Sequence, residues 1–141
     1  MNCPTRVARS GGSVETFETT RYAFKKAGTD SDPTIVTLAV QPGDRVVYPA
    51  KPSSAWNNTN IRLEQAEVVS IRTCDGRARQ QTSSLFADGF EYRVGETVEP
   101  ESFSTDTLCV DAPGIHAHPD PKCTLNYCYA EHADAYANRR A

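Results

Sequence analysis

Thr34-Ile35-Val36-Thr37-Leu38-Ala39-Val40 decides the fold. β-Branched side chains fill most of it, and their stiff χ1 angles suit a pleated strand better than a helix. The run is also too short for a core helix. Gln41-Pro42-Gly43-Asp44 follows, with Pro presetting φ at the first central turn position and Gly accepting a positive φ at the second. The sequence therefore predicts a strand, a tight turn and a hairpin partner over Arg45-Val46-Val47-Tyr48.

The same reading extends outward. Val14 to Thr19 alternate, and Tyr22 and Phe24 continue the period of two, which predicts one strand before Thr34. Ile61-Arg62-Leu63-Glu64 and Ala66 to Arg72 are strand-like and close on the turn dipeptide Asp75-Gly76. Ala66 to Ile71 is expected beside Thr34 to Val40 in one sheet. Arg77 to Ser84 reads as a loop or short helix, and Phe90 to Val94 alternates until Gly95. Leu108-Cys109-Val110 and Ile115-His116-Ala117 are short candidate strands around the Asp111-Ala112-Pro113-Gly114 turn.

A helix is expected last. Asp120 can cap it, Pro121 suits its first position, and Leu125, Cys128, Tyr129, Ala133 and Tyr136 form an apolar stripe. The predicted class is α+β: a mainly antiparallel sheet of about five to seven short strands with one C-terminal packing helix. Residues 1–13 read as an N-terminal arm, free or laid on a partner, and residues 14–141 as a single domain. Pro49 to Asn60 reads as a loop, its Trp56 an anchor folded back over the core, with a partner contact as the competing role.

A net charge of −3, from 18 acidic and 15 basic residues, supplies no summed positive field for a phosphate backbone. Nucleic acid is not expected as a partner. No apolar run approaches the roughly 20 residues of a membrane span, and the first residues carry no apolar leader core. A soluble chain of cytoplasmic synthesis is expected.

Tyr92-Arg93-Val94-Gly95, then Pro100 and Phe103, Cys109, Gly114-Ile115-His116 and Leu125-Asn126-Tyr127 carry a family resemblance, after Tyr22 with Lys25 and Lys26, Ile35 to Pro42, and Ala66 to Ile71. In order and spacing the chain resembles a small domain of unknown function often found beside pentapeptide repeats in bacteria, archaea, phages and large DNA viruses. It departs where relatives carry two aromatics after the histidine, since Ala117-His118 stands there, and in an extra Ala-Pro before Gly114. The resemblance implies an accessory module, with virion association.

Cys109, His116, His118, Cys123, Cys128 and His132 cluster late in the chain. Cys128 and His132, four apart on the predicted helix, could with His116 or His118 hold zinc. Disulfides and unpaired core thiols are the competing readings, the last being the commonest state of an intracellular cysteine. His116 is the candidate catalytic residue, as a general base with Tyr92, Glu91 or Glu96 beside it; the competing role is a half-buried ring bonded to backbone.

The leading functional expectation is a non-enzymatic structural or interaction module with protein partners, a component of a larger assembly such as a virus or phage particle, in the role of minor capsid, decoration or adaptor protein. No cofactor is expected. The alternative is an ADP-ribosyltransferase-like, NAD-binding enzyme or a degenerate relative. Gly114-Ile115-His116 and the following helix through Tyr127 are similar to that superfamily, although the late strand that often carries its glutamate is missing.

Overall fold

The computed structural model describes residues 12–29, 31–50, 60–84, 90–109 and 112–121. They form eleven strands: β1 (Ser13–Glu15), β2 (Arg21–Thr29), β3 (Asp32–Val40), β4 (Val46–Tyr48), β5 (Ile61–Leu63), β6 (Ala66–Thr73), β7 (Ala78–Arg79), β8 (Gln81–Ser83), β9 (Glu91–Arg93), β10 (Thr97–Val98) and β11 (Ile115–Ala117). One sheet runs β1-β4-β5-β11, a second β10-β6-β3-β2 with β7 also on β6, and β8 and β9 make a small hairpin. All pairings are antiparallel.

The α+β expectation is corrected. Sheet dominates the described residues, and no packing helix is found among them. The segment to which that helix was assigned, residues 122–141, lies outside the described residues, as do Trp56 and residues 1–11.

β3 is the centre, as its composition requires. It pairs with β2 from Arg21 opposite Val40 to Thr29 opposite Asp32, and with β6 on its other side. Thr34, Val36, Leu38 and Val40 alternate onto the buried face. The expected adjacency of Thr34 to Val40 with Ala66 to Ile71 is observed.

β6 keeps an apolar face only by inserting a residue. Thr37 opposes Ser70 and Leu38 opposes Val68, so Val69 is extra and is 43% exposed. A one-residue slip would otherwise turn every later side chain to the wrong face. With the bulge, Ala66 and Val68 are buried before it, and Ile71 and Thr73 after it.

The turn at Pro42-Gly43 forms as expected, with Gly43 at φ 88° and the Asp44 amide donating to the Gln41 carbonyl. The hairpin does not. β4 pairs with β1 and β5 rather than β3, so the chain changes sheets at this turn. β1 and β2, expected as one strand, likewise separate around residues 16–20 into different sheets. Arg77 to Ser84 contains β7 and β8 instead of a loop or helix, and Leu108 lies in a turn rather than a strand.

Both sheets contribute to one core, with Ala23, Val36 and Leu38 from the second meeting Val46, Leu63 and Ile115 from the first. Across the outer face of the first sheet lie residues 103–109. Arg62 of β5 is fully buried beneath them. Its guanidinium donates twice to the Ser104 carbonyl, at 3.0 and 3.2 Å, and once each to the carbonyls of Asp106 and Cys109. Burial pulls its pKa down, yet a guanidinium stays charged at neutral pH. Gly114 passes close over it: with φ 150°, an added Cβ would lie 3.2 Å from the Arg62 Cβ and 3.3 Å from the Phe103 ring.

Arg62→Met keeps most of the buried stem but removes the donor that the Ser104, Asp106 and Cys109 carbonyls share, and each lost hydrogen bond to a charged group is worth roughly 1.5–3 kcal/mol. We expect urea denaturation to show a loss of at least about 3 kcal/mol; wild-type stability would remove Arg62 from this role.

Candidate functional site

β2 carries Arg21, Lys25 and Lys26, and no carboxylate. By alternation Arg21, Ala23, Lys25 and Ala27 share the face turned to the core, opposite Val40, Leu38, Val36 and Thr34 of β3. Ala23 and Ala27 are small and fully buried, which leaves room for the lysine stem along the sheet.

β2 meets β11 at one point. Phe24 and His118 exchange both backbone hydrogen bonds at 2.8 Å, as an isolated bridge. In a continued antiparallel ladder the next such pair would be Lys26 with His116. The strands part before it, and the His116 carbonyl accepts from Lys25 Nζ at 2.8 Å instead. A side-chain cation thus takes the place of a ladder hydrogen bond where the two sheets diverge. Burial, with Lys26 as a second contributor, lowers the Lys25 pKa to about 8. Burial followed by Lys26 and Lys25 lowers that of His118 to about 4.

His116 is held from its ring. Nε2 lies 2.8 Å from the Ala112 carbonyl, which can only accept, so Nε2 carries the hydrogen. This is the backbone-bonded, half-buried histidine weighed against a general base. Tyr92 is buried in the core with its ring against Phe90, and burial raises its pKa. Glu91 pairs with Arg93 at 2.8 Å, and the Glu96 carbonyl accepts from the Val68 amide. Glu91 and Tyr92 belong to the small β8-β9 sheet and Glu96 to the turn after β9, whereas His116 lies on β11 of the first sheet.

Among the described residues no three His, Cys, Asp or Glu side chains are placed to hold a metal ion. Cys128 and His132 lie outside those residues. Cys74, after the end of β6, is disulfide-bonded, and Cys109 is an exposed free thiol. Unpaired thiols are therefore not the state of every cysteine.

Each end of β2 borders a recess. A polar one of about 220 Å³ involves Gly28, Thr29, Thr82 and Glu91 beside the Arg79–Asp32 ion pair, whose two contacts are 3.0 and 3.1 Å. The other, of about 120 Å³, opens between the sheets and is lined by Phe17, Arg21, Tyr22 and Tyr48 over Val40, Val46 and Leu63. Sequence reading missed both Arg62 and this recess. The available signal for the recess is the triplet of cations on β2, Arg21, Lys25 and Lys26.

The model of DUF5758, a family of unknown function, matches residues 5–122. The chain belongs to this family. No curated protein and no solved structure matches it. The span that defines this DUF5758 domain contains all eleven described strands and ends before Cys123, so Lys25, Arg62, Gly114 and His116 fall inside it while Cys128 and His132 do not. Among the described residues no helix is long and apolar enough to cross a membrane.

The shifted pKa values fix signs. Lys25 binds its proton more weakly in the fold, about 8 against 10.5, so protonation costs stability below pH 8 and the cost fades as pH rises toward 10.5. We expect the unfolding free energy to climb across that interval by up to about 3 kcal/mol. The climb is best measured below pH 10, because above it ionisation of Tyr92 favours the unfolded chain. Lys25→Met should abolish the rise; an unchanged slope would refute the assignment. His118 stays neutral in the fold until about pH 4 against 6.5 ordinarily, so stability should fall as pH drops through that window. In His118→Gln the acid limb of the pH–stability curve should flatten relative to wild type.

Proposed function

We propose that this DUF5758 domain is a non-enzymatic interaction module and a component of a larger assembly. The observation that carries the reading is how the singled-out side chains are engaged. Lys25 donates to the His116 carbonyl and the His116 ring donates to the Ala112 carbonyl. Both groups join strands and loop rather than converging on a common open point, so their chemistry supports architecture. What the fold presents outward is different: an aromatic and arginine-lined recess at the sheet seam, and Tyr22 at 55% exposure beside it. Large exposed aromatics are the kind of group that anchors protein contacts.

The setting, a virus or phage particle in which the chain serves as minor capsid, decoration or adaptor protein, and the pentapeptide-repeat neighbourhood come from the resemblance alone. The test is biochemical. The chain expressed in its native context should purify at fixed stoichiometry with a larger protein, and the complex should re-form from the two separated components. A monomer without a partner that binds or turns over NAD would replace this reading with the ADP-ribosyltransferase-like one.

A further inference from the structure

Seven arginines lie among the described residues, and six have an acceptor. Arg45 pairs with Glu64, Arg77 with Asp75, Arg79 with Asp32 and Arg93 with Glu91, while Arg62 and Arg72 donate to main-chain carbonyls. Arg21 differs. Its guanidinium lies over the Phe17 ring, 4.4 Å from the centroid, and has no carboxylate or carbonyl acceptor among the described residues. Stacking engages the face of the planar group and leaves its edge N–H donors, a fork matched to a carboxylate.

Arg21 also lines the seam recess. Val40 and Leu63 make its lining apolar, and Phe17, Tyr22 and Tyr48 add aromatic residues to it. At about 120 Å³ it is close to the roughly 150 Å³ cavity that takes one benzene ring, so it suits a single branched or aromatic side chain. An apolar slot with an anion receptor in its own wall requires the apolar group and the carboxylate to sit close together. In an extended polypeptide, neighbouring side chains point to opposite sides, so an acidic residue beside an apolar one would direct its carboxylate away. A C-terminal residue has no such problem, because side chain and carboxylate leave the same Cα.

We propose that the seam recess of β2 binds the C-terminus of a partner polypeptide, with its last, apolar side chain between Phe17, Tyr22 and Tyr48 and its terminal carboxylate on Arg21. This rests on the interaction-module reading and names the partner's chemistry. It adds a reason for three cations and no carboxylate on β2, since Lys25 and Lys26 reinforce the positive potential on that strand.

The experiment uses the full chain, labelled with nitrogen-15, titrated with N-acetyl-leucine and separately with N-acetyl-leucinamide. The acid should shift the backbone amides around Tyr22, Ala23, Val46 and Ile61 with a dissociation constant of roughly millimolar order, as befits a fragment. The amide, isosteric but uncharged, should bind about tenfold more weakly. Arg21→Gln should reduce the acid to the level of the amide, and Arg21→Lys should fall between wild type and Gln. Shifts that are absent, or equal for acid and amide in the wild-type chain, overturn the proposal without reference to any variant. Because the assembly is tested by co-purification, a recess that binds neither probe leaves that reading standing, and a recess that binds the acid in a chain without partners refutes only that reading.

Discussion

A guanidinium keeps its charge whatever surrounds it, so the burial of Arg62 obliges the fold to supply solvation from its own backbone. Three carbonyls of residues 104–109 do so. The loop is thereby drawn over the outer face of the β1-β4-β5-β11 sheet, and the path back from loop to β11 runs so close to the arginine that a Cβ at position 114 would crowd it. The His116 ring bond to Ala112 lies on the same path, which leads from Gly114 into the pairing of β11 with β5. The Cys109 contribution is its carbonyl rather than its thiol, which is why a cysteine in this motif needs no metal or redox role to be explained.

A second cation performs the corresponding task on the other side of β11. The two sheets share one core but are joined along β2 and β11 by a single backbone bridge, and Lys25 supplies the contact that the parted ladder lacks. The seam is therefore polar, electrostatically sensitive and lined by the residues of β2. A recess at its end is a natural product of two sheets that diverge: the apolar faces still meet, but at the margin they no longer fill the space between them. Arg21 stands at that margin with no carboxylate paired to it among the described residues.

The strands were legible wherever a side-chain pattern alone sets the structure. Thr34 to Val40 reads as a buried strand from its own composition, and Pro42-Gly43 as a turn from backbone chemistry. The bulge in β6 was not legible, because Val68 and Val69 are both apolar and only the pairing with Thr37 and Leu38 shows which of them is extra. His116 was legible as a backbone-bonded ring and, in the same reading, as a general base; only the position of Ala112 separates the two.

Which strands pair was a different matter. A turn signal specifies reversal of the chain but not the partner, so Val46 to Tyr48 was assigned to β3 although it belongs between β1 and β5. Arg62 looked like the polar member of an alternating strand because the segment that buries it lies some 40 residues further on, 42 to Ser104 and 47 to Cys109. The sequence by itself determined the antiparallel β character of the chain, its turns and the central strand, all of which depend on interactions within a few residues. The tertiary structure alone decided the division into two sheets, the burial of Arg62 and the meeting of Lys25 with His116, because those depend on long-range contacts between segments whose local patterns carry no record of one another.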